Sequence, residues 1–145
     1  MLHGNRIASA LPCILVMQRS PALQPLSREH HSALKLAKLC ERAAISNDAP
    51  EVSRVCQLAI NAYADELKAH FFTEEQTLLI LLDKTPEQAL AERTLTEHRQ
   101  LHTLLDGLRK NNADALNSFG KCLAAHVRFE ERELFPALEC KLKPQ

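Results

Sequence analysis

Five histidines and two glutamates stand at one-turn spacings along this chain: His30, His70 with Glu74, His98 with His102, and His126 with Glu130. Within each of the three pairs the separation is four residues, which on an α-helix is one turn of rise and about 40° of rotation. Each pair therefore aims two donor groups from one helix face at a common point. Imidazole nitrogens and carboxylate oxygens converging from four helices are the donor set of a dinuclear metal site inside a helical bundle. A single buried histidine is more often a hydrogen-bonded core residue than a ligand. Seven such groups on four segments differ, because a buried imidazole or carboxylate is costly unless it is paired or metal-bound.

Four helical segments are available to position them. Ser27, after Pro25, is the expected N-cap of the first, whose inward stripe is His30, Ala33, Leu34, Ala37, Cys40 and Ala44. Asn47-Asp48-Ala49-Pro50 breaks that pattern. The second runs from about Glu51 to Leu82, with Val52, Val55, Cys56, Ala59, Tyr63, Leu67, His70 and Thr73/Glu74 tracing one face. Thr85-Pro86-Glu87-Gln88 reads as a Thr-x-x-Gln capping box with proline at the first helical position. It opens a third helix, which carries Leu95, His98, His102 and Leu105 to about Arg109. After an Asn111-Asn112 turn, a fourth runs from about Ala113 to the C-terminus, with Pro136 expected to kink or tighten its last stretch. Connections this short make neighbours antiparallel. The predicted fold is all-α, an up-down-up-down four-helix bundle over residues 25–145.

The chain has 145 residues, 46% of them hydrophobic and only three of them glycine, which suits one helical domain with a substantial core. Its 18 basic and 18 acidic residues cancel, and it has no Trp and one Tyr. That excludes the basic, aromatic-bearing face of a nucleic-acid binder. Residues 1–24 differ from the rest. Their apolar run from Ile7 to Met17 is too short to span a bilayer, is interrupted by Pro12, and leads into polar residues without a small-x-small cleavage pattern. They read as a leader or extension outside the domain, or as sequence upstream of a start at Met17. The expected location is cytoplasmic, with no membrane partner. The five cysteines, Cys13, Cys40, Cys56, Cys122 and Cys140, are widely spaced and include no C-x-x-C. Reduced thiols are expected, without a disulfide framework or structural zinc.

Spacing also separates the types of metal site. Ferritin-like di-iron bundles use Glu-x-x-His, but three positions before His30, His70, His98, His102 and His126 stand Ser27, Leu67, Leu95, Arg99 and Leu123. There is no His-Glu-x-x-His zinc motif, nucleophile elbow or phosphate-binding glycine loop. The segments EHHSAL (29–34), HFFTEE (70–75), EHRQLH (97–102) and HVRFEERELFP (126–136) resemble the hemerythrin-like, or HHE cation-binding, domain family over about residues 25–140. The resemblance implies an antiparallel four-helix bundle around a non-haem di-iron centre, two iron ions with an oxo or hydroxo bridge. It implies His30, His70, His98, His102 and His126 as nitrogen ligands, with Glu74 and Glu130 bridging the metals. Oxygen-carrying hemerythrins place the last carboxylate five residues after its histidine, as an aspartate; here that position is Glu131. Regular helix geometry puts Glu130 about 40° from His126 and Glu131 about 140° away, which favours Glu130. The four-residue step is that of family branches linked to nitric-oxide response and iron–sulfur repair. It leaves reversible oxygen carriage in doubt and metal binding untouched. Glu75 and Glu131 then read as solvated or inter-helix charges, and His31, about 100° from His30, as a surface or outer-layer residue.

The expected function is a di-iron binding protein that binds or senses a small diatomic ligand, oxygen or nitric oxide, or that handles iron. Five histidines over two irons would fill one ion and leave a position open on the other. Phe71, Leu78, Leu101 and Phe129 would exclude water there, although core packing alone accounts for each. Tyr63 reads as an ordinary packed tyrosine, with a hydrogen bond toward the site as the less favoured reading. One rival is an enzyme or iron donor, peroxidase-like or serving iron–sulfur repair, for which no acid–base group beyond the ligands is evident. The other is a metal-free helical interaction module. A homodimer is the assembly weighed.

Overall fold

The computed structural model describes residues 19–143, which form four helices and no strand. They are α1 (Gln24–Ala44), α2 (49–82), α3 (Gln88–Arg109) and α4 (113–142). The helices pack side by side in the order α1–α2–α3–α4, with α4 closing back on α1. This is the antiparallel bundle that the sequence predicts. Residues 1–18, including Cys13 and the Ile7 to Met17 run, lie outside the described residues. Arg19 and Ser20, at the end of the expected leader, bond to Glu131 and Glu139 of α4. No described helix is long and apolar enough to cross a membrane.

Local chemistry sets the helix ends. Asp48 and Asn112 cap α2 and α4, accepting from the backbone N–H of Glu51 and Ala115. Asn47 and Asn111 take left-handed backbone in the turns before them, a conformation asparagine tolerates better than most residues. Two expected caps do not form. α1 starts ahead of Ser27 because Pro25 already fits its first turn, where a missing N–H costs nothing; Ser27 donates to Glu131 instead, at 2.7 Å. Thr85 is tied back to the end of α2 through the carbonyl of Leu82, so α3 begins at Gln88 without a side-chain cap.

Neither α2 nor α4 is regular. Wide turns, closed by i→i+5 bonds, occupy Tyr63–Leu67 and Glu74–Leu78 in α2 and Glu130–Leu134 in α4. Buried residues there recur every four positions: His70, Glu74, Leu78 and Leu82, and then His126, Glu130, Leu134 and Leu138. On an α-helix each such step drifts by about 40°, so three would carry the stripe about 120° off the bundle axis. Turns holding more residues absorb that drift and keep the stripe inward. Pro136 helps in α4, since it offers no N–H to the carbonyl of Arg132. The last stretch of α4 is thus loosened ahead of the proline, not tightened.

Two apolar cores result. One, near the α1–α2 and α3–α4 turns, includes Ala37, Cys40, Val55, Leu108, Leu116 and Phe119. The other, at the opposite end, includes Leu23, Leu26, Leu82, Leu134, Phe135 and Leu138. At Gly120 a Cβ would stand 2.7 Å from the carbonyl oxygen of Ala37, so α1 and α4 touch there backbone to backbone. Cys40, Cys56 and Cys122 are free thiols. Cys140 is disulfide-bonded, against the expectation of reduced thiols throughout. Spacing along the chain does not report proximity in space.

Candidate metal centre

Between the two cores lies a polar layer. His30 of α1, His70 and Glu74 of α2, His98 of α3, and His126 and Glu130 of α4 meet there, each no more than 5% exposed. One donor atom from each of His30, His70, Glu74 and Glu130 lies within 4.8 Å of the other three, and the same holds for Glu74, His98, His126 and Glu130. The two glutamates belong to both groups. Glu74 turns Oε2 to His70 Nε2 and Oε1 to His98 Nε2, each at 3.0 Å. Glu130 turns Oε1 to His30 Nε2 at 2.8 Å and Oε2 to His126 Nε2 at 3.0 Å. Each carboxylate thus spans the two groups with one oxygen apiece.

The electrostatics of this layer call for cations. Burial, reinforced by the charge of Glu130, raises the Glu74 carboxyl above its ordinary pKa. Burial pushes Glu130 the same way, but the surrounding imidazoles, His126 foremost, hold it well below. Burial also opposes protonation of the imidazoles, yet the carboxylates outweigh it. They raise His70 to about 11, His126 to about 10 and His98 to about 9, and they raise His30 as well. Protons on the imidazoles are therefore the counter-charge of the metal-free layer. Even so, both oxygens of Glu74, Oε2 of Glu130 and Nε2 of His98 and His126 are buried without an aligned hydrogen-bond partner among the described residues. Orphaned polar atoms at such close range are costly, and a metal cation would displace the protons and take up the nitrogen and oxygen lone pairs together. Borderline nitrogens beside hard oxygens suit a first-row transition ion. The residues present fit a bound metal.

His102 joins neither group. It is exposed, and its Nδ1 lies 3.2 Å from the Tyr63 hydroxyl. Four residues separate it from His98 by about 40° on α3, and the polar layer lies on the His98 side of that angle. Tyr63 accordingly has a hydrogen-bonding neighbour that packing alone did not suggest. Glu130 is the inner member of its pair. Glu131 faces α1 and takes His30 Nδ1 at 2.6 Å, Ser27 at 2.7 Å and Arg19 at 3.0 Å. Burial pushes its carboxyl up, but these three partners bring it down to about 2. Phe71 stacks on His98 with ring centroids 4.0 Å apart, while Leu78 and Leu101 belong to the flanking cores. Phe129 lies under the Arg93 guanidinium, 4.0 Å from ring centroid to carbon.

The sequence reading missed Glu29 and Glu97 and saw only charge in Glu75 and Glu131. All four lie on the Nδ1 side of an inner imidazole, at 2.6 to 2.7 Å. Their signal was adjacency: each is the chain neighbour of an inner residue, and one residue turns about 100° from the bundle axis toward a helix seam. A small enclosed cavity of about 10 Å³ touches His30, His70 and His126, and its other walls include Ala33, Leu67, Phe71, Leu123 and Val127. A surface pocket of about 400 Å³, lined by Tyr63, Phe72, Arg99 and His102, reaches His98 from the α2–α3 side.

No curated protein and no solved structure shows a match to the chain. The family model of the hemerythrin HHE cation-binding domain matches residues 22–138. That span takes in every helix that feeds the polar layer and all six residues gathered in it, so the chain belongs to the hemerythrin HHE cation-binding family.

Proposed function

We propose that this chain holds two non-haem iron ions, one in each four-residue group, and that the pair binds or senses a small diatomic ligand. The reading rests on one observation: the two groups share Glu74 and Glu130, each of which offers one oxygen to either side. His30 and His70 would hold one ion, His98 and His126 the other, with the glutamates between them. On six residues each ion has four protein donors, which leaves room for an added ligand on both. Bound metal would supply Lewis-acid and redox chemistry.

The chain itself supplies size selection and dryness. A cavity of about 10 Å³ beside three of the imidazoles is about one water in size, which suits oxygen or nitric oxide and rejects organic substrates. Apart from the imidazoles and Glu29, whose carboxylate is engaged by His70 Nδ1 at 2.7 Å, its walls are apolar, so no uncommitted general acid or base lines it. That favours binding or sensing over an enzyme. The four-residue step from His126 to Glu130 departs from the spacing of the oxygen carriers and the outward place of His102 from the five-histidine set, and both count against reversible oxygen carriage.

Metal analysis with optical spectroscopy tests the reading. Protein purified under iron-replete conditions should carry about two irons per chain and absorb in the near ultraviolet through ligand-to-metal charge transfer. Nitric oxide should then be taken up stoichiometrically. Negligible metal, or a single ion per chain, sinks the proposal.

A further inference from the structure

Each inner imidazole presents Nε2 to the inner carboxylates and Nδ1 to a glutamate outside both groups. Nδ1 of His70 lies 2.7 Å from Glu29, that of His98 2.7 Å from Glu75, that of His126 2.7 Å from Glu97, and that of His30 2.6 Å from Glu131. The glutamate of α1 thus holds the histidine of α2, that of α2 the histidine of α3, that of α3 the histidine of α4, and that of α4 the histidine of α1. The ring closes.

Its regularity has a simple geometric origin. The outer glutamate precedes an inner residue on α1 and α3 (Glu29 before His30, Glu97 before His98). It follows one on α2 and α4 (Glu75 after Glu74, Glu131 after Glu130). One residue is about 100° of rotation. Viewed from one end of the bundle, successive residues turn one way on an up helix and the other way on a down helix. Preceding on the first and following on the second therefore put all four glutamates on the same rotational side, each facing the next helix.

We propose that Glu29, Glu75, Glu97 and Glu131 are positioning residues of the metal centre, a closed ring that fixes each imidazole with Nδ1–H outward and the Nε2 lone pair inward. The proposal rests on the reading of the four inner histidines as ligands. A carboxylate on the far nitrogen selects the tautomer and makes the near nitrogen a better donor. Stability alone does not account for the Glu29 contact. The Glu29 side chain is 55% exposed, and half-solvated ion pairs contribute little to folding. Glu97 and Glu131 are themselves steadied, by Arg93 at 2.8 Å and by Arg19 at 3.0 Å. Glu29 and Glu75 have no such second partner among the described contacts, which makes them the clean positions to test.

Zinc(II), which has no redox chemistry of its own, is the probe. Long-range nitrogen–proton NMR on the histidine-labelled full chain reads which ring nitrogen carries the proton, and chelator competition reads affinity. In zinc-loaded Glu29→Ala the downfield Nδ1–H signal of His70 alone should be lost, and affinity should fall about 10–100-fold. Glu29→Gln keeps a hydrogen-bond acceptor and should restore the signal and most of the affinity. Glu75→Ala and Glu75→Gln should repeat the result on His98, so that one variant's failure to fold leaves the other to decide. Unchanged affinity in the alanine variants, movement of the wrong imidazole, or lowered melting with no residue-specific change overturns the proposal. A wild-type chain that binds neither zinc nor iron overturns the metal reading as well; a wild type that binds two ions beside variants that bind equally well overturns the ring alone.

Discussion

Around Phe119 and Gly120, α4 is a regular helix whose buried neighbours on α1 are Ala37 and Cys40, small enough for the two backbones to touch. Farther along the same helix, at Glu130, the turn widens and the buried side chains are charged. The first region is close-packed and electrically silent. The second is held together by compensation, of carboxylate by imidazolium or by metal. The difference assigns separate duties: the apolar cores carry the stability of the bundle, and the polar layer can remain partly unsatisfied because it does not have to.

The largest test of that division is Phe119→Ala at the silent end, where the ring is fully buried. It should cost about 3–5 kcal/mol in urea unfolding of the metal-free protein while leaving metal stoichiometry of the folded fraction intact. Loss of metal in a still-folded variant would merge the two regions into one. Next comes pH. The folded-state pKa values of His98, His126 and His70, about 9, 10 and 11, lie above the ordinary value of about 6.5. Their contribution to metal-free stability is therefore fully present below about pH 6.5 and is lost as pH rises through about 9 to 11. The loaded protein should run the other way at the acid end, since protons compete with metal for Nε2 and acidification should release it. Melting of the metal-free protein should therefore fall as pH rises through about 9 to 11, while melting of the loaded protein should fall on acidification below the ordinary histidine range. A metal-free form with no loss at high pH would mean that the imidazoles do not supply the counter-charge. The smallest effect separates two histidines of similar sequence appearance. His126→Ala removes a donor from one group and spares the other, so metal content should drop by about half. His102→Ala should leave it unchanged. Equal losses by elemental analysis would return His102 to the centre.

The bundle was legible because its apolar stripes and short connections determine it, and the inner residues were legible because charged groups interrupt those stripes on every helix. His102 was not. A four-residue pair shows that two side chains share a face, and the 40° between them leaves open which of the two looks down the axis. The wide turns did leave a trace, in buried positions such as His126, Glu130, Leu134 and Leu138 recurring at four rather than alternating three and four. Regular-helix reasoning passes over it. Ser27 was mistaken for a cap because its real partner, Glu131, is distant in sequence. The outer glutamates escaped for a similar reason: each acts on a histidine of another helix, and adjacency on its own helix reads only as surface charge.

The contacts from Glu29, Glu75, Glu97 and Glu131 run in one rotational direction around the bundle. A glutamate moved to the other side of its inner residue, after His30 on α1 or before Glu74 on α2, would face the opposite seam and leave the imidazole of the next helix without its outer partner. The alternation of a glutamate before and a glutamate after therefore gives the ring a handedness, written in the sequence as an offset whose sign flips from each helix to the next.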